Sequence, residues 1–244
     1  MSKTSANTHT KRALLELREK IINGEIPGGR RLYEVAMAEA LQVSRTPARE
    51  AMSRLAEEGL LERASGGGFL VRTFTPDDVV DAIELRGVLE GTVARLAAER
   101  GVGPAGLAPV HATLDALDIC FGSEIDDVDF DKYSGLNQRF HDLLGTLSGS
   151  AIMTRELDRV KSLPFASPSA FVPSRSGRRA FRLSLIVAQN QHRGIVQAIE
   201  ARQGARAESL AREHARIARG SLDYLLSSDE GGGLRLPGRG IVVD

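Results

Sequence analysis

Hydrophobic positions recur at helical spacing along most of this chain, from Val79 to the 220s. They predict helices near 76–100, 105–121, 127–148, 151–163, 178–203 and 205–226. The series starts at Thr75-Pro76-Asp77-Asp78, where Thr75 suits a cap, Pro76 suits the first helical position, and the aspartates favour a helix N-terminus. Gly149 is placed to cap the end of the third helix. The stretch Leu163 to Ser176 is rich in Pro, Ser and Phe and predicts a loop over the domain. No strand pattern competes, so this part reads as an antiparallel helical bundle. No internal repeat is evident.

Residues 31–72 read differently. An apolar helix is followed by Leu41-Gln42-Val43-Ser44-Arg45-Thr46-Pro47-Ala48-Arg49-Glu50-Ala51, and then by a glycine-centred hairpin. Ser44 suits a helix N-cap, and Pro47 falls in the first turn, where a missing N–H costs little. At 100° per residue Ala48, Ala51, Met52 and Leu55 share one face, which should pack inward. Thr46, Arg49 and Ser53 fall on the opposite stripe, and Arg45 flanks it at the N-terminal end. Leu60-Leu61-Glu62-Arg63 and Phe69-Leu70-Val71-Arg72 can pair as two short strands around Ala64-Ser65-Gly66-Gly67-Gly68. Glycines there supply positive φ and let backbone N–H groups approach a phosphate. Helix, turn, helix and wing in this order are how a winged helix-turn-helix presents a helix to a DNA groove. An arginine on it can fork onto guanine edges or phosphates; the alternative is a pair of arginines solvating a surface helix.

Composition fits two domains. The chain has 244 residues, 42% of them hydrophobic, enough for a real core. Its net charge is zero, but residues 1–74 hold 12 Lys/Arg against 9 Asp/Glu, for +3, and the remainder holds 20 against 23, for −3. That asymmetry has the sign that phosphate neutralisation requires. A single cysteine, Cys120, excludes an internal disulfide and a cysteine-rich metal site. No apolar run approaches the ~20 residues that span a bilayer, and the first ten residues lack the apolar core of a signal peptide, so a cytoplasmic protein without a membrane partner is expected. Disordered tails are expected over 1–10 and 227–244, flanking domains at 11–74 and 75–226 with Thr73-Phe74-Thr75 as linker.

Three histidines have suggestive spacing. Asn137 and His141 are four apart and share a helix face. His192 precedes Gly204 by 12 residues and His214 follows it by 10. A chain reversal near Gly204 would set both roughly 15–18 Å from the turn, side by side on antiparallel helices. Three converging imidazoles make a divalent-metal site with an open position, whereas three separate histidines make hydrogen-bonded core or surface residues. On spacing alone the separate, hydrogen-bonded histidines are the commoner outcome.

The motifs change that. Residues 11–72, on Val43 to Ala51 with Leu55 and Glu58-Gly59-Leu60 after it, resemble the DNA-binding domain of GntR-type bacterial transcription regulators. The resemblance implies that Arg45 and Arg49, with Thr46 and Ser53 on the same stripe, face DNA, and that Gly66 or neighbouring Gly67 of the wing enters the minor groove or touches the backbone. Residues 77–225 resemble the all-helical FCD effector domain of the FadR-like branch. The blocks that carry it are Ala82 to Glu90, Asn137 to His141, Gln191-His192-Arg193 and Arg212-Glu213-His214. It implies a metal such as zinc on Asn137, His141, His192 and His214, with Asn where many members have Asp. A neutral amide is a weaker ligand than a carboxylate.

The resemblance further implies a small organic acid as effector. Arg86 is the candidate carboxylate clamp, against a structural ion pair with Glu90 on the same helix. Arg86 to Gly91, together with Tyr133 to His141, looks most like the vanillate-responsive repressors, which points to an aromatic acid. Phe165 and Phe171 could line its pocket or serve as plain core residues. The expectation is therefore a mainly α protein: a winged helix-turn-helix of three helices and a hairpin wing, joined to an all-helical bundle. It acts as a homodimeric repressor, placing two helices in successive grooves of a palindromic operator. The alternatives are a metal-dependent hydrolase fused to a DNA-binding domain, since three histidines can activate water, and an architectural DNA binder with a structural metal.

Overall fold

Helix α1 (Lys3–Ile22) opens the chain, where a disordered tail to residue 10 was expected. It buries Ala13, Leu17 and Ile21, and Thr10 is tied down because its hydroxyl donates to Glu50 Oε2 at 2.8 Å. This computed structural model describes residues 3–123, 127–163, 165–169, 179–227 and 241–242. The chain divides into two units, Met1–Val79 with Ser162–Phe165 and Arg235–Asp244, and Val80–Lys161 with Ala166–Leu234.

In the first unit, α1 is followed by β1 (Arg31–Leu32), α2 (Glu34–Ala40), α3 (Arg45–Glu57), β2 (Leu61–Arg63) and β3 (Phe69–Val71). The predicted apolar face of α3 is the buried one: Ala48, Ala51, Met52 and Leu55 are all sealed against α1 and α2. The wing strands pair antiparallel with Arg63 opposite Phe69. Strand β1 was not foreseen. It joins the far edge of β3, Leu32 opposite Phe69, so the sheet order is β1-β3-β2 and the expected helix starts only at Glu34. Two residues, one exposed and one buried, are too few to reveal a period of two.

Ser44 stands at the N-cap of α3 with extended backbone, yet its side chain makes no capping bond. The reason lies in the sequence. An N-cap hydroxyl accepts from the second or third helical residue; the third here is Pro47, which has no N–H, so Thr46 alone is left as a donor. The start of α4 (Pro76–Arg100) is capped as expected: Asp78 N–H donates to Thr75 Oγ1 at 3.2 Å, and Thr75 N–H donates back to Asp78 Oδ2 at 2.8 Å. Thr73-Phe74-Thr75 was expected to be a linker, and residues 227–244 a disordered tail. Instead Phe74 N–H donates to the Ile241 carbonyl at 2.7 Å and Ile241 is fully buried. The expected tail residues 228–240 lie outside the described residues.

The second unit contains α5 (Pro104–Asp118), α6 (Phe130–Thr146), α7 (Ala151–Lys161), α8 (Arg179–Glu200) and α9 (Gly204–Ser227). Each lies within a few residues of its predicted span. α6 starts three residues late because Asp129 caps it, accepting from Lys132 N–H at 3.0 Å. α8 stops at Glu200 because Arg202 takes a left-handed conformation, φ 61°, where the chain reverses into α9. Gly149, at φ 63°, follows α6 as predicted. A core of Leu114, Leu117, Tyr133, Phe140, Leu144, Ile195, Ile199 and Ala211 binds α5, α6, α8 and α9. α4 joins it by close approach: a Cβ on Gly87 would meet Ala215 Cβ at 2.8 Å, and one on Gly91 would meet the Glu208 carbonyl at 3.0 Å. This contact turns Arg86 and Glu90 into the interior.

Candidate functional site

The exposed stripe of α3 is intact. Arg45, Thr46 and Arg49 are exposed and Ser53 is half-buried. Arg49 is 65% exposed and only loosely paired, its Nε 3.4 Å from Glu34 Oε1. Gly66 and Gly67 are exposed at the wing tip with φ of 89° and 95°, a conformation few other residues adopt. Beneath them lies a residue that sequence reasoning missed. Arg31 on β1 sends its guanidinium into the wing, donating to Gly67 O from Nε at 3.0 Å and to Ser65 O at 2.8 Å. Those carbonyls are thereby consumed by the protein, and the loop is held open at its tip.

The buried centre lies in the helical unit. α6 supplies His141, α8 His192 and α9 His214, all buried. The reversal at Arg202 and Gly204 brings the last two together as the spacing predicted. His192 Nε2 lies 3.0 Å from His214 Nε2, which lies 3.2 Å from His141 Nε2. The opposite nitrogen of every ring faces an oxygen: His141 Nδ1 to Glu90 Oε1 at 2.7 Å, His192 Nδ1 to Gln189 Oε1 at 3.1 Å, and His214 Nδ1 to Gln191 Oε1 at 3.3 Å.

Burial governs protonation here. It pushes His192 well below its ordinary pKa, assisted by His214 and His141. It takes His214 down to about 3. Burial would raise Glu90, but His141 and Arg86 outweigh it and hold the carboxyl at about 2. An ionised carboxylate only accepts, so His141 carries its proton on Nδ1 and presents a bare lone pair at Nε2. The two glutamine oxygens beside the other rings match the same tautomer. Three lone pairs then face one another with no proton between them, an arrangement that repels unless a cation sits among them. Nitrogens bound tetrahedrally to one ion at about 2.0–2.1 Å stand about 3.3 Å apart, close to the separations observed. The residues present therefore fit a divalent metal with nitrogen ligands.

Asn137, one turn before His141, is buried. Its Nδ2 donates to the Pro168 carbonyl at 3.1 Å and to Ser169 Oγ at 3.2 Å. That leaves Oδ1 as the only end of the amide able to coordinate. Arg86 is buried beside the centre. Its Nε is 3.7 Å from Glu90 Oε2, and Nη1 donates to the Ala166 carbonyl at 3.1 Å. Among the described residues Arg86 Nε, Glu90 Oε2 and Tyr133 Oη are buried with no hydrogen-bond partner. Burial also raises the Tyr133 phenol far above its ordinary pKa, so it remains a donor. Phe165 is buried and groups with the first unit. Phe171 lies outside the described residues. Sequence reasoning missed Gln189 and the role of Glu90. Glu90 could have been found from its place four residues after Arg86 on one helix face, and Gln189 from its place three before His192.

A winged helix with an exposed arginine-bearing helix, on the same chain as a helical bundle with three buried, converging histidines, defines the class of two-domain transcription regulators. Residues 9–71 match the bacterial regulatory proteins of the gntR family, and residues 81–216 match the FCD domain. The chain belongs to the GntR family, in the branch that carries an FCD domain, and is a ligand-responsive DNA-binding transcription regulator. It is 32% identical over 183 residues to an HTH-type transcriptional regulator of Streptomyces ambofaciens, covering 70% of this chain and 74% of that protein. It is 29% identical over 216 residues to the regulator LutR of Bacillus subtilis (80% and 92%), and 27% identical over 202 residues to the repressor GlaR of Escherichia coli (81% and 88%). Its fold matches E. coli McbR/YncC with a TM-score of 0.66 at 18% identity, over 90% of this chain and 99% of that one. Among the described residues no helix is long and apolar enough to cross a membrane.

Proposed function

We propose that this protein is a homodimeric, zinc-containing repressor released from a palindromic operator by a small organic acid. The observation that carries the reading is the convergence of His141, His192 and His214 Nε2 with each Nδ1 committed to an oxygen. These histidines would hold the zinc, with Asn137 Oδ1 as the fourth protein donor. Such an ion would act as a Lewis acid, and a carboxylate of the effector would have to add to, or displace Asn137 from, this donor set. Arg86 supports a charged effector: its Nε is a buried donor without a partner, and guanidinium forks match carboxylates. Tyr133, an unpartnered buried donor on the helix of His141, suits a second polar group on the acid, and an aromatic acid of the vanillate type is the finer choice. Phe165 is kept as a candidate for the apolar wall.

On DNA, Arg45, Thr46, Arg49 and Ser53 read the major groove, while Gly66 and Gly67 approach the backbone or minor groove. The effector changes operator affinity only as far as its own affinity differs between DNA-competent and incompetent states. A hundredfold effect needs ~2.7 kcal/mol of coupling. The protein lies in the cytoplasm, and catalysis is no part of its function.

A thermal-shift screen of small carboxylic acids, with and without prior chelation, tests the effector site. An acid at 100 times its dissociation constant adds ~2.7 kcal/mol, a shift of several degrees. A hit lost on chelation supports the reading, and a hit that survives chelation removes zinc from effector recognition. Silence across the panel with metal present favours a structural metal. Arg49→Ala tests the DNA-reading helix, where unchanged operator affinity in a folded variant would overturn its assignment.

A further inference from the structure

Gln189 has one orientation open to it. Its Nε2 donates to two oxygens, the Leu114 carbonyl at 3.0 Å and Asp118 Oδ1 at 2.7 Å, and neither can donate in return. Flipping the amide would press its oxygen against both. The side chain is 4% exposed, so water cannot substitute. Oε1 must therefore face His192 Nδ1, and that ring must carry its proton there. The His141 partner differs, because either oxygen of the Glu90 carboxylate accepts whichever way it turns. The His192 tautomer depends on a buried amide held by a second group.

That second group is Asp118, the last residue of α5. One oxygen receives Gln189, and the other receives the Arg193 guanidinium, which also pairs with Asp115 at 3.0 Å. Asp118 is half-exposed and touches no histidine. We propose that Asp118 is a positioning residue for the metal centre: acting through Gln189, it fixes His192 with its Nε2 lone pair toward His141 and His214. The inference rests on the zinc reading above only for its effect on affinity, since the tautomer is set whether or not metal is bound.

Asp118→Asn is the decisive variant. An asparagine offers one oxygen where the aspartate offers two. The charged Arg193 competes for that oxygen and leaves the amide N–H₂ facing Gln189 Nε2, donor against donor. Gln189 then loses one of the two acceptors that fix its orientation, and a flip, opposed now by the Leu114 carbonyl alone, moves the His192 proton to Nε2 and removes a ligand lone pair. Ring ¹⁵N shifts of the zinc-free full-length protein should show His192 as the Nδ1–H tautomer in wild type and shifted toward Nε2–H in Asp118→Asn. Zinc affinity, read by competition with a chromogenic chelator, should fall about tenfold, the low end for loss of an outer-shell partner.

Arg193→Met breaks the same ion pair but leaves both carboxylate oxygens, and should keep wild-type tautomer and affinity. Asp118→Asn/Arg193→Met should recover affinity, because the asparagine oxygen can then turn to Gln189. An unchanged His192 tautomer in Asp118→Asn would overturn the proposal, as would an Arg193→Met variant as weak as Asp118→Asn. Absence of zinc binding by wild type would remove the zinc reading and leave the ring shifts to decide this one.

Discussion

The Glu90 carboxylate accepts from His141 Nδ1 at 2.7 Å with both side chains 1% exposed, so one buried anion serves both the imidazole N–H and the Arg86 guanidinium. Glu90→Gln keeps an acceptor oxygen but removes the anion behind the metal-facing imidazole. Metal affinity should drop by roughly 10–100-fold. The same variant leaves Arg86 buried and unpaired, at a cost of about 3–5 kcal/mol. Chelator competition reads the first effect and urea unfolding the second; wild-type values in both would show that the pair is passive.

Acid should destabilise the metal-free protein before its carboxylates titrate. His192 and His214 have folded pKa values below the unfolded value near 6.5, so the unfolded chain binds more protons as pH falls. Their contribution is fully present above about pH 6.5 and is lost on descending from there toward the folded values. Between pH 7 and 5 each should remove up to about 2 kcal/mol. Urea midpoints at the two pH values check this, and His192→Gln should halve the slope. A flat profile would mean that the rings are already solvated.

Arg31→Lys separates charge from geometry in the wing. Lysine preserves the positive charge but not the fork that holds Ser65 O and Gly67 O. Operator affinity should fall about tenfold, the scale of one charge-assisted hydrogen bond, while the salt dependence stays the same because the number of cations is unchanged. Full affinity in the lysine variant would make Arg31 a phosphate contact instead of a wing support.

Gly87→Ala should cost about 1–3 kcal/mol by overpacking α4 on α9, since the added methyl meets Ala215 Cβ at 2.8 Å. Ala215→Gly in the same chain should restore much of the loss. Thermal unfolding of the single and double variants measures the coupling, and additive effects would show that the helices separate without strain.

How much of this was legible in advance follows from the range of the forces involved. Helix positions came from local periodicity, and the caps at Thr75 and Gly149 came from backbone chemistry that a few residues settle. The face of α3, and with it the placement of Arg45 and Arg49, is a matter of 100° per residue. The pairing of His192 with His214 was readable because one reversal lies between them. Ser44 was misjudged as a capping side chain although Pro47 three residues on already removed one of its two possible donors. Strand β1 was hidden because two residues carry no period, and it forms only when β3 offers an open edge.

The partners of the imidazoles belong to the tertiary structure alone. Glu90 reaches His141 across 51 residues, and Asp118 reaches Gln189 across 71. The orientation of an amide, the tautomer of a ring and the burial that keeps it neutral arise only when distant helices close over them. The sequence by itself determined which helices form, which faces are apolar and which family motifs they carry. Packing decided the electrostatics of the centre, because desolvation and long-range hydrogen bonds have no local signature.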